Sequence, residues 1–480
     1  MVRAMGAMLA ACALSAGCGG DPYPSAAPVP KTAAGAVRDA ARGGESAPTV
    51  PEKTVSPADG AAKEPPAAAR RSVTLVYGGE LQGYLTPCGC SEGMIGGLPR
   101  RATFLADLRR TSNGALVNVD LGNLIKEPSR QSELKFMTIL ESYLLMGFDA
   151  VCLGERDLAL GGGFVAGELF NRREVPIVVA NLKVEELADT IRPFRSVHAK
   201  GVKVFVTSLV DPELVSGMMG VACQAPIPAG KALAERAAGH DCRVLLAHAA
   251  LPEARAWAQE LGFFDVVVAG VGQEDPTTPE KVGGALLVAP GVWGKYGCAL
   301  RLTGENGGGW THEFVKVPLG EKLAANPNVV QLIKDYQGML ALEGARIAPE
   351  RKPHPRGLFT GSARCAECHA KAYQVYEKSM HAKALDTLKD LNSHKDPECL
   401  PCHTVGYYFE GGFRSAAETP EFGGVGCECC HGPGARHVED NAAESIERGG
   451  EEGCLECHTE LQSPAFNYKE YFRRIAHPES

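Results

Sequence analysis

The chain lacks an excess of basic residues. Its 49 Lys and Arg face 57 Asp and Glu, for a net charge of −8. A protein whose main partner is nucleic acid presents a positive face to the phosphates, so that class is excluded. Long apolar runs are also missing. The stretch 4–17 is apolar but too short to span a bilayer. Hydrophobic and charged fractions of 45% and 22% exclude both a polytopic membrane protein and a mostly disordered chain. Cysteine is not scarce: there are 17 in 480 residues, more than a cytosolic enzyme of this length carries. The length implies two to four domains, at roughly 100–200 residues each.

Residues 1–18 read as an export signal. Arg3 supplies the positive end, and the apolar stretch closes on Leu14, Ser15, Ala16, Gly17 and Cys18. This ending resembles a bacterial lipoprotein box with Cys18 as the lipidated residue. Leu9 to Cys12 fits less well, and an ordinary cleaved signal peptide is the plainer alternative. Each reading sends the chain out of the cytoplasm, to the periplasm or the outer surface of a bacterial envelope. Residues 19–71 hold nine Pro and fourteen Ala with Tyr23 as the sole aromatic, which predicts a disordered tether. At roughly 5–6 Å × √n it reaches about 40 Å.

From Ser72 the pattern changes. Apolar runs at 72–77, 115–120, 150–153, 175–180, 202–208, 243–247, 266–269 and 285–288 predict strands. Helical spacing over 100–110 and 133–146 separates some of them. The alternation predicts a layered α/β domain over 72–320, with ligands at polar strand ends. Residues 321–356, with Leu332, Tyr336, Met339 and Leu342 at helical spacing, predict a helical and Pro-rich connector joining the domains.

The order of short motifs resembles the metallophosphoesterase domain of 5′-nucleotidases. The matching stretches are Glu80–Gln82, Gly96–Ala102, Asp120–Asn123, Gly154–Asp157, Ala180–Leu182, Leu246–His248 and Gly270–Gln273. The resemblance implies a two-metal hydrolase fold, but most metal ligands do not carry over. Glu80 and Gln82 replace the first Asp and His, and Asn123 replaces the next Asp. Glu155 and Arg156 replace an Asn–His pair, and Val271 and Gln273 replace two histidines. Asn181 and His248 alone match. A two-metal site needs about four to six ligands around cations roughly 3.5–4 Å apart, so the expectation is a hydrolytically degenerate domain. A rewired single-metal site using Glu80, Asp120, Asp157 and His248 is the alternative.

Cys88 and Cys90 follow the first strand. They could bind an additional metal, form a strained disulfide or act in redox chemistry. Cys152 and Cys298 lie in or beside strands and could join them as a thiolate cluster. Cys223 and Cys242 flank a short helical stretch and are expected to pair as a disulfide.

The strongest signal is C-x-x-C-H, which occurs four times: Cys365, Cys368, His369; Cys399, Cys402, His403; Cys427, Cys430, His431; and Cys454, Cys457, His458. Chance supplies roughly 0.02 such matches. In this pattern two thiols add across haem vinyl groups and the adjacent His becomes the proximal iron ligand, which predicts four c-type haems. A zinc knuckle does not demand His after every second Cys. The segment leaves about 31 residues per motif, too few for a large apolar core around each cofactor. The haems must supply much of the core and stack closely, which makes an electron wire.

Sixth ligands are sought among His354, His381, His394, His437 and His477. Here the sequence resembles the tetrahaem cytochromes c that accept electrons in hydroxylamine oxidation. The resemblance rests on Ser379–Ala382, the second motif followed by Thr404–Gly406, Gly424–Gly434 around the third motif, His437, and Ile475–His477. It implies a mostly α domain over 357–480 with His381, His437 and His477 as distal ligands and one five-coordinate haem. His394 is a weaker candidate, as is His354. Cys429, inside the third motif, is expected to take no part in attachment. The function expected is electron transfer with envelope redox proteins. A redox enzyme acting on a small nitrogen or sulfur compound, and an active phosphoesterase with a cytochrome appendage, are the alternatives.

Overall fold

The computed structural model describes residues 71–87, 93–112, 115–304 and 309–478. The signal, with Cys18, the tether up to residue 70, and the pair Cys88 and Cys90 lie outside the described residues. All described residues fall in one unit, Pro66–Ser480. Among them no helix is long and apolar enough to cross a membrane.

The N-terminal part is built on two sheets. In the first, the strand order is Trp310–Pro318, Tyr296–Gly304, Arg71–Gly78, Leu116–Asp120, Ala150–Val151. Arg71–Gly78 runs parallel to Leu116–Asp120 and antiparallel to Tyr296–Gly304. The second sheet is ordered Glu280–Val282, Ala285–Val288, Val266–Val268, Cys242–His248, Val202–Val210, Arg195–Ala199. Side chains alternate along its strands. Val204, Val206, Val244 and Leu246 face the first sheet's core, while Phe205, Leu209, Leu245 and Ala247 pack with Trp257 and Leu261 of the helix Leu251–Leu261. The result is the expected layered α/β arrangement.

Helix ends follow their caps. Arg130–Met146 starts where the Ser129 side chain accepts from Ser132 N, and stops at Gly147 in the left-handed region. Pro327–Glu343 starts where the Asn326 side chain accepts from Asn328 N and Val329 N. This second helix packs into the α/β domain, with Tyr336 and Leu340 buried in the main core against Arg130–Met146, and its Gln337 side chain donates to Asp396 of the C-terminal part. Leu342, expected on the same stripe, is 89% exposed. The stretch 175–180 is no strand. It makes isolated bridges from Ile177 to Val151 and from Val178 to Arg192, and Ala180 N donates to Ser208 O at 2.9 Å.

The C-terminal part is a set of short helices: Ser362–Ala366, Ala370–Lys378, Ala384–Asp390, Leu400–His403, Cys427–His431, Ala435–Asp440, Glu451–Leu455 and Tyr468–Ile475. Its apolar cluster contains only Leu385, Leu388, Leu400, Val405, Tyr407, Phe413 and Phe422 as buried members. So small a core leaves the four motifs to be packed around something other than side chains.

Haem-attachment motifs and the altered phosphoesterase centre

Each motif is one tight helical turn. His369 N and His458 N donate to the carbonyls of Cys365 and Cys454, four residues back, at 2.8 and 2.9 Å. That turn brings both thiols and the imidazole to one side of the backbone. The motifs interleave in space. The Cys365 side chain of the first lies beside Cys427 of the third, and Cys402 of the second beside Cys457 of the fourth.

The histidines form facing pairs. Ring centres are 6.0 Å apart for His369 and His437, 6.2 Å for His381 and His458, and 5.8 Å for His431 and His477. Two imidazoles on opposite sides of one metal, each bonded at about 2 Å, place their ring centres about 6 Å apart. His381 follows the first motif in sequence but faces the histidine of the fourth. His403 has no ring partner among the described residues. His394 is not brought to any motif histidine, and its Nδ1 is buried without a hydrogen-bond partner. His354 packs edge-on to Phe359 and Phe409, 5.6 and 4.5 Å between ring centres.

The second ring nitrogens support the same arrangement. Nδ1 lies 2.6 Å from Ala384 O in His403, 2.8 Å from Glu447 O in His431 and 2.9 Å from Ala442 O in His437. An imidazole that gives its Nδ1–H to a carbonyl keeps the Nε2 lone pair for a metal. Burial pulls the pKa of His381, His403 and His458 down, which favours the neutral, ligating form. The donor set therefore fits c-type haem.

Glu428, between the third motif's cysteines, was not singled out by sequence. Its buried carboxylate accepts from Thr360 N, Gly361 N and Gly434 N at 2.8, 2.8 and 2.7 Å. It ties the lead into the first motif to the third. Cys429 beside it is half-buried, with its thiol directed to Thr404 O.

In the α/β domain the strand ends do converge, but the side chains there bind one another. His248 is fully buried, with Nδ1 2.8 Å from Leu121 O and Nε2 2.6 Å from Glu155 Oε2. Asn123 donates to Glu80 Oε1 at 2.8 Å and Glu155 Oε1 at 2.9 Å, and Gln82 donates to Glu80 Oε2 at 3.1 Å. Asp157 accepts from the backbone of Asn123, Leu124 and Gly154. Asp120 is taken by Arg101 and Tyr143, at 2.9 and 2.8 Å. Asn181 ties Val210 to Gln224. Gln273 donates to Asp275 O. Among the described residues no group of three His, Cys, Asp or Glu is arranged to hold a metal ion. The loop shape persists all the same. Glu80, Gln82 and Asn123 keep left-handed backbone, with φ of 49, 50 and 56°.

Electrostatics match this network. Burial alone would lower the His248 pKa, but the hydrogen bond and charge of Glu155, then the charge of Glu80, leave it raised. Burial would raise Glu155, but its contacts with His248 leave it lowered. Burial pushes Asp157 up to about 7.

The remaining described cysteines are free thiols. Cys223 and Cys242 do not form the expected disulfide. Cys242 is buried in the strand Cys242–His248, and Cys223 lies beside Asn181 on the separate ribbon Val221–Cys223. Cys152 and Cys298 are each buried, and their thiols are directed to different carbonyls, Leu153 O and Pro290 O.

Two classes of protein meet in this chain: a metallophosphoesterase-like α/β fold and a C-terminal segment of the c-type cytochrome kind. Residues 364–432 match the family described as cytochrome c554 and c-prime, whose members carry c-type haem. Cytochrome c-554 of Nitrosomonas europaea is 30% identical over 134 residues, covering 21% of this chain and 57% of that protein. The 5′-nucleotidase precursor of Thermus thermophilus is 20% identical, covers 59% of this chain and 62% of its own, and superposes with a TM-score of 0.50. The sulfate thiohydrolase SoxB of the same organism follows at 18% identity and 0.49, covering 62% and 63%. The chain thus spans less than two thirds of each of these relatives, and the nucleotidase likeness shows the fold alone.

Proposed function

We propose that the protein carries electrons through four covalently attached c-type haems, at Cys365 and Cys368, Cys399 and Cys402, Cys427 and Cys430, and Cys454 and Cys457. Haem supplies an iron that takes up and releases single electrons. His369 with His437, His458 with His381, and His431 with His477 would each hold one iron. His403 would hold the fourth without a second histidine ring facing it among the described residues. The observation that carries the reading is the set of three histidine pairs at about 6 Å, the separation that two ligands of one iron require. Contact of the first motif with the third, of the third with the fourth through the helices Cys427–His431 and Glu451–Leu455, and of the fourth with the second supports a continuous path.

The chain is exported and held to the envelope by lipid on Cys18, and it exchanges electrons with redox proteins there. The α/β domain does not hydrolyse phosphoesters, because Glu80, Asn123, Glu155 and His248 satisfy one another rather than a cation pair. The unpartnered His403 favours a second reading: a redox enzyme that binds a small nitrogen or sulfur compound at the open iron.

Electron paramagnetic resonance of the oxidised, haem-loaded protein tests both, with haem and metal analysis on the same sample. Three low-spin signals and one high-spin signal, with four haems per chain, are expected. Four low-spin haems would remove the open site, and fewer than four haems would overturn the carrier as described. If cyanide or nitric oxide shifts the high-spin signal and a candidate substrate is turned over, the enzyme reading displaces the carrier.

A further inference from the structure

The α/β domain grips the segment that leads into the second motif. Asp396 is 5% exposed. Its Oδ1 accepts from Gln131 Nε2 at 2.8 Å and from Glu398 N at 3.0 Å, and its Oδ2 accepts from Gln337 Nε2 at 2.8 Å. Gln131 lies on the helix Arg130–Met146 and Gln337 on Pro327–Glu343. Gln131 is held in turn by the buried Tyr336 hydroxyl, 2.9 Å away. Beside this, Lys135 Nζ meets both carboxylate oxygens of Glu398 at 2.6 Å, with its own side chain 8% exposed. The backbone of Asp396 continues the connection. Its carbonyl accepts from Cys399 N and Leu400 N, at 3.0 and 3.2 Å, and so starts the turn that carries Cys399, Cys402 and His403.

We infer that Gln131, Lys135 and Gln337 of the α/β domain, through Asp396 and Glu398, are positioning residues for the second haem motif and set its reduction potential. Asp396 is a buried carboxylate whose hydrogen-bond donors are two side-chain amides and a backbone N–H, so its charge is not cancelled by a contacting cation. Negative charge near an iron favours the ferric state, and the low-dielectric surroundings preserve the effect. Lys135 opposes the effect with its positive charge.

Lys135 also lies against the altered centre. A Cβ on Gly83, next to Gln82, would come 3.2 Å from Lys135 Cδ, at a backbone φ of 75° that already disfavours a side chain. Glycine there leaves the lysine its path to Glu398. The loop that corresponds to a metal-binding loop in the phosphoesterase fold here backs onto the haem region's least ligated motif. This gives the α/β fold a role that needs no hydrolytic chemistry.

The inference rests on the second motif carrying a haem, and the experiment separates the two. The full haem-loaded chain is titrated potentiometrically, following each haem by absorbance and the high-spin one by its paramagnetic signal. Asp396→Asn should raise the midpoint of one haem, changing its ferric-to-ferrous ratio at fixed potential by on the order of tenfold, which is about 59 mV for one electron. Lys135→Met should lower the same midpoint, Gly83→Ala should follow it, and Lys135→Arg should restore it. A purely structural contact would move Asp396→Asn and Lys135→Met in one direction or not at all, and either result overturns the inference. Mass analysis of the peptide containing Cys399 and Cys402 guards the premise. An unmodified peptide would overturn the haem assignment itself, whereas a haem-bearing peptide with unmoved midpoints would overturn only the link to the α/β domain.

Discussion

At the scale of single residues, the pair His248 and Glu155 makes stability depend on pH. Glu155 is held below its ordinary 4.5 and His248 above its ordinary 6.5. Their contribution is complete between those two values. It falls away on acidification through the lowered Glu155 value, and on alkalinisation through the raised His248 value. Asp157 acts in the same alkaline direction. Its pKa is raised from 3.8 to about 7, so its contribution is fully present below 3.8 and is lost as pH rises through 7. The α/β domain should therefore melt higher at pH 6 than at pH 8.5, and His248→Gln should flatten the difference. Calorimetry that found no difference in the unaltered protein would refute the ion pair. Glu428 is a second case. Glu428→Ala leaves three backbone N–H groups without their acceptor, and should cost about 3–5 kcal/mol in denaturant unfolding of the haem-loaded chain.

At the scale of elements, the proposed haem ligation makes the histidine pairs decide the magnetic state of each iron. His437→Ala should convert one low-spin signal to high-spin and leave the other signals in place. An unchanged spectrum would break the pairing with His369. The sequence disclosed these elements unevenly. Strands such as Val202–Val210 and Cys242–His248 were legible because mostly apolar runs, Val204 to Val206 and Val244 to Ala247 at their centres, record burial on both faces. Trp310–Pro318 was not, because its half-exposed residues carry no such run. The motif cysteines and histidines were legible because covalent attachment fixes their spacing. The partner of each distal histidine was not. His381 sits twelve residues after His369 and faces His458, a choice made by the tertiary path of the chain. Asp396 and Glu398 were equally silent, since an acid before a cysteine looks the same whether it is solvated or gripped by a neighbouring domain. Leu342 and the pair Cys223 and Cys242 misled for a related reason: spacing along the chain does not report which neighbour a side chain meets.

At the scale of the whole molecule, one chain joins a metallophosphoesterase-like fold to a region of the c-type cytochrome kind, and in the first the side chains at the converging strand ends bind one another. The full chain supplied with Mg²⁺, Mn²⁺ or Zn²⁺ should release no phosphate from a nucleotide or an aryl phosphate. Metal-dependent release would restore the hydrolase. The interleaving of the motifs also sets a timetable. A chain made from its N-terminus presents Cys402 and His381 long before Cys457 and His458 exist to meet them, and His431 waits for His477. The stretch from Cys454 to His477 thus acts as a keystone, because it brings His458 and His477 to partners laid down earlier in the sequence.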